Sequence, residues 1–172
     1  MEHIIYPIGR MATKEHFTDD ELALNISEIE SLPSRLNESL ANIKPEHLTQ
    51  SYREGGWNLK QIVHHLADSH MNAYIRFKLA LTEGNPTIKP YDENLWAAHA
   101  DANNNNILPS LAILGGMHIR WAEMLRATTF EQFDRTFFHP EKNRSVNLKE
   151  HTYMYAWHGS HHLGQMEYIL RR

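Results

Sequence analysis

The chain has no cysteine. Disulfides, thiolate zinc sites and cysteine nucleophiles are therefore excluded. It has no apolar run of about 18 residues, so no membrane-spanning helix is expected. The opening stretch Met1-Glu2-His3-Ile4-Ile5-Tyr6-Pro7 lacks a basic segment followed by an apolar one. That argues against a secretory leader and favours a cytoplasmic protein. Basic residues are scattered and the formal net charge is −4. A nucleic-acid groove needs a basic stripe to neutralise phosphates, so that class is set aside. No Glu follows a histidine in a His-Glu-x-x-His pattern, so the metalloprotease helix is absent as well.

What the chain has in excess is histidine, 13 in 172 residues. Its length and its 41% hydrophobic content suit one domain, residues 1–172, with a sizeable core. Residues 1–17 read as an extended arm punctuated by Pro7 and Gly9. Thr18-Asp19-Asp20-Glu21 is a capping box opening a first long helix to about residue 42. Its apolar stripe is Leu22, Ile26, Ile29, Leu32 and Leu36, with Pro33 set inside the pattern as a possible kink. A turn is expected at Pro45-Glu46-His47-Leu48.

Asn58 caps a second long helix, from residue 59 to about 83, with Gly84 as its stop. Residues 92–100 form a short helix around Trp96. Pro109 suits the first turn of a third long helix, 108 to 127, in which Gly115-Gly116 either weakens the helix or allows close packing. Residues 135–146 read as a small hairpin. Asn147-Leu148-Lys149-Glu150 resembles a second capping box, opening a fourth long helix, 148 to 170. The sum is an all-α four-helix bundle, up-down with a long crossover, with short extra helices and a hairpin before the last helix.

The chemistry lies in two stripes. On the fourth helix His151, Tyr155, His158, His162 and Gln165 recur at steps of four, three, four and three, which keeps them on one face. From Tyr153 to Tyr168 the only charged residue is Glu167, so the helix is expected to be largely buried and its histidines to need partners. On the second helix His65, Ser69, Asn72 and Arg76 form a polar strip beside the apolar one. His158 and His162, four apart, can share one ion, and His65 can supply a third ligand. Three neutral imidazoles at one depth of a bundle suit a divalent ion, zinc or nickel, one per chain. Three protein ligands leave open positions, the mark of a catalytic site.

His64 competes with His65 for that role but can pair with Asp68. His70 and His161 read as satisfied or exposed, and His139 as structural or solvated. His118 is a candidate for the cavity wall from the third helix. Tyr155, Asn72 and Arg76 can orient substrate, Ser69 shares the face of His65, and Asp68 can orient a ligand imidazole.

Several segments resemble a known family. These are Tyr6-Pro7-Ile8-Gly9, Tyr52-Arg53-Glu54-Gly55-Gly56-Trp57, His64-His65-Leu66-Ala67-Asp68-Ser69-His70-Met71-Asn72 with Tyr74-Ile75-Arg76-Phe77-Lys78, Pro90-Tyr91-Asp92-Glu93, and Trp157-His158-Gly159-Ser160-His161-His162. The chain resembles the DinB superfamily of metal-binding four-helix bundles, and within it the YfiT group, described as metal-dependent hydrolases. The resemblance implies one histidine ligand from the second helix and a His-x-x-x-His pair from the fourth, which fall on His65, His158 and His162. It implies hydrolysis of a small-molecule substrate by metal-activated water. Related members imply the alternative of a thiol S-transferase using bacillithiol or a similar low-molecular-weight thiol. It also implies a homodimer. Gly159 departs from the pattern and marks a candidate point of close backbone approach. A third reading, of another class, is a non-catalytic metal- or ligand-binding bundle.

Overall fold

The computed structural model describes residues 2–172. Four long helices make the frame: α2 (Asp19–Leu40), α3 (Leu59–Thr82), α5 (Leu108–Ala127) and α6 (Leu148–Leu170). Short helices α1 (Glu2–Ile5) and α4 (Glu93–Ala97) and two 3₁₀ turns, Pro45–Thr49 and Gln132–Asp134, fill the connections. Strands β1 (Thr136–His139) and β2 (Arg144–Asn147) form an antiparallel hairpin with Phe137 opposite Val146. Among the described residues no helix is long and apolar enough to cross a membrane.

Each long helix starts where its chemistry dictates. Thr18 and Glu21 exchange both bonds of a capping box, at 2.9 and 3.2 Å. Asn58 and Gln61 form a second one at the head of α3. Asn147 caps α6 through the Glu150 amide at 2.8 Å, but the return bond of the expected box is missing. Glu150 is instead ion-paired with Arg144. The expected extended arm is corrected at its start: residues 2–5 are helical, because α1 docks on α6 through contacts that a local reading does not contain. Met1 lies outside the described residues.

α2 and α3 each pack against α5 and α6, so they stand on one diagonal of the bundle. The apolar residues fall into two clusters. One joins Ile26 and Ile29 of α2 with Phe77, Trp121, Leu125 and Tyr155. The other joins Leu32 and Leu36 of α2 with Leu59, Ile62, Leu114 and Met166. α2 and α6 contribute their first halves to the first cluster, whereas α3 and α5 contribute their second halves. α3 and α5 are therefore parallel, and residues 83–107 are the crossover that carries the chain back along the bundle. Between the two apolar clusters lies a polar layer with His65, His70, His118, His158 and His162.

Two glycines decide how closely elements meet at that layer. A Cβ at Gly159 would lie 2.6 Å from Leu32 Cδ2, and one at Gly164 would lie 2.8 Å from Pro7 Cγ. The first lets α6 seat against α2, and the second seats the N-terminal arm on α6. By contrast, a Cβ at Gly115 or Gly116 would meet open space, so those two do not mark close packing within the chain.

Candidate metal centre

α3 and α6 run antiparallel and turn their polar stripes toward each other. His65 of α3 meets His158 and His162 of α6, and each ring offers a nitrogen within 4.8 Å of the others. His65 Nε2 lies 3.3 Å from His158 Nε2. The His158 and His162 ring centroids are 4.5 Å apart, and those of His65 and His162 are 5.0 Å apart. Burial holds His65 down to about 4. Burial, and then the neighbouring imidazoles, push His158 and His162 well below the ordinary histidine value. All three rings are thus neutral near pH 7, the form that ligates metal.

The far nitrogens of the α6 pair are already engaged. His162 Nδ1 lies 2.9 Å from Gln165 Oε1, and His158 Nδ1 lies 3.1 Å from His70 Nε2. The nitrogens left facing inward are the Nε2 atoms. Three neutral rings converging on one point, with the outward nitrogens of the α6 pair held by other groups, fit a divalent ion by donor type and by support.

The cluster forms part of the wall of a cavity of about 410 Å³. Trp57 packs on His65 with ring centroids 4.5 Å apart. Ser69, Arg76 and Tyr155 continue the wall from the two helices. The Tyr155 hydroxyl lies 3.2 Å from Ser69 Oγ. The remaining wall comes from distant chain: Tyr91 and Glu93 of the crossover, and His139, Glu141 and Lys142 of the hairpin. These two segments are tied together, because Phe138 donates its amide to the Pro86 carbonyl at 2.9 Å and accepts from Ile88 at 3.1 Å.

Other sequence candidates are placed differently. His118 does not line the cavity. It is fully buried behind the cluster, 3.0 Å from His70. His70, expected to be satisfied or exposed, is satisfied: it is fully buried, with its two ring nitrogens bonded to His118 and His158. His139, expected to be structural or solvated, stands on the cavity wall. Asp68 faces a separate cavity with His99 and Asp101, away from the cluster. Its expected partner His64 bonds Ser110 Oγ at 2.8 Å and the Asn104 carbonyl at 3.0 Å instead. Asn72 donates to the Asp68 carbonyl of its own helix at 2.9 Å. His151 is packed between Phe77 and Phe137, below the cluster. His161 bonds Gln165.

A model of the DinB superfamily matches residues 28–166. The chain belongs to the DinB superfamily. Two relatives carry the name "Putative metal-dependent hydrolase". YfiT of Bacillus subtilis is 39% identical over 170 residues, covering 99% of this chain and 96% of the relative. A protein of Oceanobacillus iheyensis is 45% identical over 170 residues, covering 97% and 96%. The solved structure of Bacillus subtilis YfiT, described as having an unusual four-helix bundle topology, superposes with a TM-score of 0.94 over 99% of this chain and 97% of that one. A mycothiol-dependent maleylpyruvate isomerase superposes with a TM-score of 0.66 at 17% identity, over 87% of this chain and 66% of that one. At that identity the likeness is one of fold. The DinB frame thus accounts for the bundle and its crossover, and the relatives' shared name matches a cluster of three inward-facing imidazoles.

Proposed function

We propose that the chain is a metal-dependent hydrolase in which His65, His158 and His162 hold one divalent ion, zinc or nickel, and a small-molecule substrate enters the cavity beside them. The observation that carries this reading is the convergence of three neutral imidazoles on the wall of a cavity of about 410 Å³. A divalent ion held there supplies a Lewis acid that makes a bound nucleophile available near neutral pH.

The chain's own residues then set the substrate class. Arg76 lies on the cavity wall, is 8% exposed, and among the described residues has no ion-pair partner. A desolvated guanidinium without a counter-charge is costly, so the substrate is expected to bring an anionic group to it. Lys142 on the same wall is lowered by partial burial and by the neighbouring Arg144 and Arg76, which marks a positive field there. Glu93 and Glu141 are the wall's carboxylates and the candidates for accepting a proton from an attacking nucleophile.

The same cationic wall favours a second reading. A thiol S-transferase would seat the carboxylates of bacillithiol or a similar low-molecular-weight thiol on Arg76 and Lys142 and conjugate the thiol to an electrophile. A cytoplasmic homodimer is part of the proposal. It is supported by the exposed apolar residues of α5, where Leu108 is 69% and Ile119 is 62% exposed.

The test uses untagged protein loaded with zinc or nickel, beside His158→Ala. Hydrolysis of small carboxylate-bearing esters and amides without added thiol supports the first reading. Consumption of an electrophile only when a thiol is present supports the second. Bound metal without turnover in either screen contradicts both and leaves a metal-binding bundle.

A further inference from the structure

Two backbone carbonyls lack their usual helical partners, and each is tied to an imidazole of the cluster. In α2 the carbonyl of Ile29 would accept from the amide of residue 33. Residue 33 is a proline inside the helix, with no N–H to give. The freed carbonyl lies 2.6 Å from His118 Nδ1.

A carbonyl only accepts, so His118 carries its proton on Nδ1. A neutral imidazole then has its lone pair on Nε2. That atom is 3.0 Å from His70 Nδ1, which must donate to it. His70 is left with a lone pair on Nε2, 3.1 Å from His158 Nδ1. His158 donates in turn, and its own lone pair stays on Nε2, the atom facing His65. Each step has one solution while the rings are neutral. Burial favours the neutral form: His70 and His118 are both fully buried, and their hydrogen-bond partners are imidazoles and a backbone carbonyl rather than carboxylates.

The second connection starts at Ile5, the last residue of α1, whose carbonyl has no partner in that helix. It accepts from Gln165 Nε2 at 3.0 Å. The same nitrogen lies 3.0 Å from His161 Nε2. This orientation turns Gln165 Oε1 to His162 Nδ1, 2.9 Å away. The reversed amide would set two oxygens against each other at Ile5. His162 therefore also donates from Nδ1 and keeps its lone pair on Nε2.

We propose that Pro33, His118 and His70 on one side, and Ile5 with Gln165 on the other, are positioning residues that fix the tautomers of His158 and His162, so that both Nε2 lone pairs face the site before an ion arrives. The inference rests on the three-histidine reading of the site. It gives the helix-interior proline a function: Pro33 withholds the one donor that would otherwise occupy the anchor of the His118–His70–His158 chain.

The test is long-range ¹H–¹⁵N NMR of the histidine rings in the metal-free protein, with zinc affinity measured in parallel. Wild type is expected to show His158 and His162 protonated on Nδ1. His118→Phe removes the relay, and Pro33→Ala restores a competing donor to Ile29. Both are expected to give mixed tautomers at His158, an unchanged His162, and zinc affinity weakened about ten-fold. His118→Gln keeps one donor and one acceptor and is expected to restore the wild-type pattern. Should His118→Phe fail to fold, Pro33→Ala, which improves helix propensity, carries the test. The proposal is overturned by Nε2-protonated His158 in wild type, or by unchanged His158 tautomer and affinity in both variants. Failure of wild type to bind zinc would overturn the ligand reading instead, and the metal-free tautomer pattern would still be read separately.

Discussion

Leu32 occupies the space that a side chain at position 159 would need, with its Cδ2 2.6 Å from where a Cβ would stand. Leu32 is itself fully buried, at 1% exposure, so it has little room to withdraw. This contact sits one residue from His158 and sets the depth at which α6 meets α2. Gly159→Val is therefore expected to lower unfolding free energy by about 1–3 kcal/mol through overpacking. Urea denaturation measures it. An unchanged midpoint would mean that Leu32 repacks freely.

Asn147 is a second local determinant of α6. Its side chain is the cap, and the reciprocal Glu150 bond is absent because Arg144 holds that carboxylate. Asn147→Ala should cost about 1 kcal/mol. Glu150→Gln should cost less, because its partner is an exposed arginine. The order of the two variants in thermal unfolding checks which interaction starts the helix.

The long helices were legible because their signals are local. Pro109 and Asn147 mark the starts of α5 and α6, and the 3.6-residue stripes carry each helix to its end. The His65, His158 and His162 convergence was legible for the same reason, since two helical periodicities put them on facing strips. What local pattern does not contain is which distant segment closes the cavity. Glu93, Glu141 and Lys142 reach the wall only because Phe138 pairs with the crossover. Nor does periodicity show that His70, off the main stripe, stands behind His158 and links it to α5. Pro33 could be read as an irregularity from sequence, but its consequence appears only once His118 is seen at the Ile29 carbonyl.

Arg76 gives a prediction that separates binding from metal loading. Arg76→Gln should retain one ion per chain and raise KM for an anionic substrate or thiol by about ten-fold or more, the scale of one charged hydrogen bond. Arg76→Lys should fall between the two. Equal KM values for wild type and Arg76→Gln would remove the anionic group from the proposed substrate.

The pH dependence of the metal-free protein has a definite sign. Burial lowers His65, His118 and His161 to about 4 in the folded chain, from 6.5 in the unfolded one. Between those values the unfolded state binds more protons. Stability should therefore be fully present above about pH 6.5, fall as pH drops toward about 4, and level off with respect to these groups below it. Melting temperatures across that range test it. A flat profile from pH 7 to 4 would mean that the rings are not neutral in the folded state.

The most direct test of the central claim is elemental analysis of protein purified without a histidine tag or added metal, repeated on His158→Ala. One divalent ion per chain in wild type, lost in the variant, is the expected result. Equal metal content in the two proteins, or none in wild type even after incubation with zinc or nickel, would contradict a centre built on His65, His158 and His162.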